Sequence, residues 1–234
     1  MIFIRSFVLL LCQLLLTPLF ALIAILSFPF HPVTRYRIIS GWALIMMWLL
    51  RVVCGIRMEV RGVENIPREP RILMCKHQSA WETIALQKVF PPQVWVLKRE
   101  LLWLPFFGWG LAMTSPIAIK RSDGKGAMKQ LLKQGKERMQ MGFCVVIFPE
   151  GTRIPYGKKG KYKVGGALLS HSTGVPVVPI AHNAGKLWGR NSFLKRPGVI
   201  TMSIGPEIDP VGLKAEEISQ RVEAWIEAEV ARIQ

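Results

Sequence analysis

The sequence predicts an α/β domain, with a central, mostly parallel mixed sheet flanked by helices, carried on an N-terminal membrane-embedded helical anchor. Two observations predict it. Residues 7–30 contain no charge, and beyond residue 52 short runs rich in Val and Ile alternate with longer stretches of helical periodicity. Length bounds the answer: 234 residues hold one domain with a full core and a short extension, but not comfortably two. The chain therefore divides into an anchor, residues 1–52, and one folded domain, residues 53–234.

Taken in order, residues 7–30 are long enough to cross roughly 30 Å of hydrocarbon as a helix. The competing reading is a cleaved signal peptide, with Arg5 as a weak positive start, but the apolar run is too long for one. Arg35 and Arg37 follow, then a shorter apolar segment, residues 38–50, rich in Trp and Met and closed by Arg51. Three readings stand for it: a half-inserted interfacial helix, the second arm of a hairpin, or a core helix of the domain. Trp42 and Trp48 at headgroup level, and arginines reaching lipid phosphates, favour the first two, so the anchor is one span or a two-helix hairpin.

Candidate strands in the domain are residues 57–62, 71–76, 93–98, 117–121, 143–148, 175–181 and 199–204. Candidate helices are residues 81–90, 105–113, 126–141, 164–172 and 215–233. In the helix from Gly126 the pattern turns Met128, Leu131, Leu132 and Met139 inward and Lys129, Lys133, Lys136 and Arg138 outward.

Half of the residues are apolar, mean hydropathy is +0.29, and 31 Lys and Arg face 15 Asp and Glu, a formal charge of +16. Greasy and basic together point to an anionic lipid surface, although nucleic acid attracts the same charge. Cys12, Cys54, Cys75 and Cys144 stand far apart in apolar runs, without metal or redox spacing, and read as buried free thiols of a reducing compartment.

Two segments carry chemistry. Lys76-His77-Gln78-Ser79-Ala80-Trp81-Glu82 follows a candidate strand and opens a helix, so His77 projects at the carboxyl edge of the sheet, where ligand sites of α/β folds gather. Lying ahead of the helix, His77 is free to turn back toward Glu82, whose carboxylate then accepts one ring N–H and leaves the other nitrogen able to take a proton from an alcohol. Ser79-x-x-Glu82 is equally a capping box, which gives Glu82 a structural role. The second segment is Phe148-Pro149-Glu150-Gly151-Thr152-Arg153, a turn in which Gly151 allows close approach of backbone amides to an anion, Thr152 adds a hydroxyl and Arg153 a planar fork for phosphate. Its bland reading is an ordinary strand-to-loop turn. Lys158, Lys159, Lys161 and Lys163 follow it, either as a solvated loop or as a contact for lipid headgroups or donor phosphates.

His77-x-x-x-x-Glu82, Lys98-Arg99-Glu100-Leu101 with Leu104-Pro105-Phe106-Phe107-Gly108, Arg121, the 148–153 block and Val175-Pro176-Val177-Val178-Pro179 fall in order and spacing. With them the chain resembles the bacterial 1-acyl-glycerol-3-phosphate acyltransferases over about residues 50 to 205. The resemblance implies His77 as base and Glu82 as its partner. It implies Lys98, Arg121 and Arg153 as holders of the acceptor phosphate, with Glu150, Gly151 and Thr152 shaping the same site. Two departures stand out: Glu82 replaces the usual Asp, and Ser115 and Ala118 replace a Gly and an aromatic.

The implied reaction is acyl transfer from acyl-CoA or acyl-carrier protein to the sn-2 hydroxyl of a lysophospholipid, giving phosphatidic acid, with no cofactor, metal or covalent intermediate required. The implied location is the bacterial inner membrane, with the domain on its cytoplasmic face and membrane lipids as partners. The sequence has no G-x-S-x-G, H-E-x-x-H, P-loop or G-x-G-x-x-G. His31, His171 and His182 lack a carboxylate at comparable spacing and read as structural. Ser115 and Ala118 keep a different lysolipid acceptor open, such as lyso-ornithine lipid or lysophosphatidylglycerol. A nucleic-acid-binding protein or a scaffold leaves His77 and Glu82 without purpose, so no nucleic-acid partner is expected.

Overall fold

The computed structural model describes residues 1–120 and 122–233. Its first two elements are helices, α1 (Ile2–Leu26) and α2 (Pro32–Val52). Among the described residues α1 is the one helix long and apolar enough to cross a membrane. Pro32 opens α2 at a position where no N–H is needed, and the His31 ring accepts the Val33 N–H at 3.4 Å. The two helices pack on each other as a hairpin, and α2 also packs against the domain, burying Tyr36, Met46 and Leu50. Hairpin arm and core helix are thus one and the same.

Seven strands follow: β1 (Ile56–Arg61), β2 (Ile72–Cys75), β3 (Gln93–Lys98), β4 (Ile117–Ile119), β5 (Cys144–Ile147), β6 (Val177–His182) and β7 (Gly198–Ile204). They form one sheet in the order β1-β7-β6-β2-β5-β3-β4. Every pairing is parallel except β6 with β7, which makes the sheet mixed and mostly parallel, as expected. Every residue of β2, β5 and β6 is buried, because helices cover both faces of a parallel sheet and leave its strands continuously apolar.

The remaining helices are α3 (Trp81–Val89), α4 (Phe107–Ala112), α5 (Gly124–Gln140), α6 (Gly165–Thr173) and α7 (Ala215–Arg232). They cover the sheet in two groups, α5 with α6 and α7, and α2 with α3, to which α4 is joined through α1. The helix expected over residues 105–113 is shorter. Leu104 precedes a proline and is held extended, Phe106 lies at φ 60, and a 3₁₀ turn, Arg99–Trp103, occupies the approach. Arg138 corrects the expected outward face of α5: it is half-buried, and its Nε–H donates to the Ser115 carbonyl at 2.8 Å because the loop before β4 folds over the helix. Cys54, Cys75 and Cys144 are buried, Cys12 is half-buried, and all four are free.

Candidate active site

Three adjacent parallel strands, β2, β5 and β3, end at one edge of the sheet. Their register sets His77, the 148–153 turn and Lys98 side by side, which is the property of parallel sheets that gathers ligand groups at carboxyl ends. Between β2 and α3 the chain turns through residues 77–80, and this turn brings His77 back onto Glu82.

His77 Nδ1 lies 2.8 Å from Glu82 Oε1. The same carboxylate accepts the N–H groups of Gln78 at 3.0 Å and Ser79 at 2.9 Å. The two sequence readings of Glu82, cap and partner of His77, are therefore both realised by a single group. Glu82 is wholly buried. Burial acts to raise its carboxyl, but the attraction of His182 and of His77 in their protonated forms, the His77 hydrogen bond and the Ser79 amide outweigh this and leave it below the usual carboxylate range. Since a carboxylate only accepts, His77 carries its proton on Nδ1 and keeps the Nε2 lone pair available. Phe148 stacks on the His77 ring, 3.9 Å between centroids at 14°, and fixes its plane.

The His77 main chain is also held, its N–H by Glu150 Oε2 at 2.9 Å and its carbonyl by the Ile154 N–H at 2.7 Å. Glu150 thus shapes the site by holding the His77 main chain. It is buried, and its other oxygen binds Lys76 Nζ at 2.7 Å, so it faces the interior. Burial pushes the Glu150 carboxyl up, against the Lys76 hydrogen bond and the His77 amide. Gly151 likewise serves the turn: at φ 67 it donates its N–H to the Phe148 carbonyl at 2.9 Å.

A cavity of about 380 Å³ opens over His77. Lys98 and Arg153 line it with His77, while Thr152 is exposed and outside its lining. Arg121 lies outside the described residues. Arg153 Nε is buried without a hydrogen-bond partner among the described residues, a cost of roughly 1–3 kcal/mol that an anion would relieve. The remaining walls are largely apolar: Phe20 and Ala21 from α1, Trp42 from α2, Ile84 from α3, Phe107 and Leu111 from α4. Neither Ser115 nor Ala118 lines the cavity. Ser115 instead joins α2 to α5, accepting from Arg35 at 3.1 Å through its hydroxyl and from Arg138 through its carbonyl.

His182 is a functional neighbour that sequence reasoning left as structural. It ends β6 and is wholly buried; its Nε2 stands 3.8 Å from Glu82 Oε2 and 2.8 Å from the Lys76 carbonyl. Its signal was the strand adjacency of β6 and β2, which no spacing in the chain displays. Among the described residues no group of three His, Cys, Asp or Glu side chains is placed to hold a metal ion. The four lysines of the basic loop are exposed, and Lys159 pairs with Glu223 at 2.7 Å.

Residues 57–183 match the family described as Acyltransferase. The chain is 50% identical over 216 residues to the 1-acyl-sn-glycerol-3-phosphate acyltransferase of Pseudomonas aeruginosa, covering 89% of this chain and 84% of that protein. It is 27% identical over 201 residues to 1-acyl-sn-glycerol-3-phosphate acyltransferase alpha of Bos taurus, covering 84% of this chain and 70% of the relative. Its fold is similar to the crystal structure of the 1-acyl-sn-glycerophosphate (LPA) acyltransferase PlsC from Thermotoga maritima, with a TM-score of 0.72 and 22% identity, covering 93% of this chain and 95% of that one.

Proposed function

The chain belongs to the Acyltransferase family, and from that premise we propose that it transfers a fatty acyl group from acyl-CoA or acyl-carrier protein to the sn-2 hydroxyl of 1-acyl-glycerol-3-phosphate, giving phosphatidic acid. The observation that carries this reading is the shared cavity: His77 with Nδ1 on Glu82, two cations, Lys98 and Arg153, and an apolar wall built partly by α1.

Nε2 of His77 takes the hydroxyl proton as the oxygen attacks the thioester carbonyl. Glu82 holds the ring in that tautomer and stabilises the imidazolium that forms. The tetrahedral adduct collapses, the carbon–sulfur bond breaks, and the departing thiolate recovers the proton from His77. A thioester is already activated, so the step calls for no cofactor, and positioning supplies most of the rate. Lys98 and Arg153 bind the acceptor phosphate, Arg153 in the bidentate manner of a planar fork, and the apolar walls take acyl chains.

Membrane association is carried by α1, which turns Leu14, Leu15, Leu22 and Leu26 outward, and α4 beside it exposes Phe107 and Trp109. An exposed apolar band of this extent is stable only against lipid or another protein. The inner membrane, with the domain on its cytoplasmic face, is the location we propose, on the ground of the free thiols and the lipid substrates.

The test offers purified protein lysophosphatidate, lysophosphatidylglycerol and lyso-ornithine lipid with each donor, beside His77→Ala. Phosphatidic acid formed by the wild type and absent from His77→Ala is expected. Acylation of another lysolipid in preference to lysophosphatidate would overturn the acceptor assignment.

A further inference from the structure

Lys76, the residue before His77, has a wholly buried side chain, a costly place for an ammonium unless it is paired and hydrogen-bonded. Two carboxylates pair it. Lys76 Nζ donates to Glu150 Oε1 and to Glu227 Oε1, each at 2.7 Å. Tyr162 donates its hydroxyl to the same Glu227 oxygen at 2.8 Å. Glu227 stands on α7 and Tyr162 in the loop before α6, both outside the motifs that carry the family resemblance. Since Glu150 Oε2 accepts the His77 N–H, an unbroken line of hydrogen bonds runs from Tyr162 through Glu227, Lys76 and Glu150 to the main chain of His77.

We infer that Glu227 and Tyr162 are positioning residues for His77, acting through Lys76 and Glu150 on the peptide that carries the imidazole. The inference rests on the acyltransferase reading. Lys76 and Glu150 alone make a neutral pair. Adding the half-buried Glu227 carboxylate gives the cluster a surplus negative charge, and apolar side chains in place of Lys76, Glu150 and Glu227 together would pack at no greater cost. What the third group supplies is direction. An ammonium bridged to Glu227 is fixed at both ends, so it pins one oxygen of Glu150 and leaves the other aimed at the His77 N–H. Other contacts on this stretch, among them the Lys76 N–H on the Ile180 carbonyl, Ile154 on the His77 carbonyl and His182 on the Lys76 carbonyl, hold it from other directions.

None of Tyr162, Glu227, Lys76 and Glu150 lines the cavity. Loosening the line therefore moves the base relative to the hydroxyl without touching either substrate, and kcat falls while both KM values stay. Glu227→Gln keeps the shape and the bond from Tyr162 but loses the charge that grips Lys76. Tyr162→Phe removes one hydrogen bond from the far end.

Both variants and the wild type are assayed with lysophosphatidate and acyl-CoA in the detergent-solubilised full chain, with thermal melts alongside. Glu227→Gln is expected to lose about tenfold or more in kcat, Tyr162→Phe a smaller multiple, with both KM values within about twofold of wild type. A kcat in Glu227→Gln within about twofold of wild type overturns the inference, as does a loss that vanishes when rates are referred to the folded fraction, or one that appears as a rise in KM. Should Glu227→Gln not fold, the same criteria apply to Tyr162→Phe. A wild-type chain that acylates no lysolipid would instead end the acyltransferase reading, so the two failures are separate.

Discussion

The Nε2 atom of His182 lies 3.8 Å from Oε2 of Glu82, and both side chains are wholly buried. His182 donates its Nε2–H to the Lys76 carbonyl, and its Nδ1 accepts the Ala184 N–H at 3.2 Å, which fixes the neutral tautomer. Burial holds this imidazole below its ordinary 6.5, against the pull of Glu82. The unfolded chain takes up a proton near pH 6.5 that the folded chain refuses, so stability falls as pH drops below 6.5 toward the folded value. Glu82 adds to this at lower pH, because its depressed carboxyl contributes stability above 4.5 that is lost as pH falls through its folded value. Melting temperature should therefore decline on acidification below about pH 6.5, and His182→Gln should flatten the first part of that decline. A melting temperature independent of pH over that range would contradict a neutral His182.

Glu82→Gln tests the carboxylate as more than a cap. An amide still accepts the N–H groups of Gln78 and Ser79, but it stabilises the imidazolium poorly. The expected loss is on the order of a hundredfold in kcat, with KM nearly unchanged. Glu82→Asp shortens the arm by one methylene, and the two main-chain amides hold the shorter group close to themselves and away from the ring. We expect about a tenfold fall in kcat and an intact helix α3. Full activity in Glu82→Asp would show that His77 follows its partner.

Arg153 and Lys98 share the cavity with His77 but differ in setting, since Lys98 is exposed and Arg153 is half-buried, its Nε without a partner among the described residues. Arg153→Ala should raise KM for lysophosphatidate by roughly ten- to a hundredfold and lower kcat less. Arg153→Lys restores charge without the fork and should recover only part. Steady-state kinetics with the acceptor varied will separate the two constants, and equal loss in both would contradict a binding role.

The strands and the His77–Glu82 pair were legible because each is local. Buried strands show as apolar runs, and His77 and Glu82 sit five apart around one turn. How Glu150 shapes the site was not legible, because its partners, Lys76 and the His77 amide, follow the neighbouring strand, and a carboxylate in a turn gives no sign of facing inward. His182, Glu227 and Tyr162 reach the site only through the β2–β6 pairing and the seating of α7, contacts between residues far apart in the chain. Arg138 was assigned outward by periodicity, which cannot register a loop folding over the helix. The short form of α4 follows from Pro105, a local signal that the helical pattern overrode.

Gly110 decides whether α1 is a wall of the working cavity or only an anchor. It lines the cavity on α4, and a Cβ built there would stand 3.6 Å from Ala21 Cα on α1, an ordinary contact. Gly110→Ala should therefore leave activity within about twofold of wild type, and its added helix propensity works in its favour. Gly110→Leu carries three further carbons into the seam between α1 and α4 or into the cavity itself, and overpacking of this kind typically costs about 1–3 kcal/mol. If the acyl chain of the donor runs between these helices, kcat/KM for a long-chain thioester should fall about tenfold, and for a short-chain thioester much less. Fluorescence from Trp42, which lines the cavity, reports whether its packing has changed. Equal losses for long and short donors would place the acyl chain elsewhere and reduce α1 to an anchor.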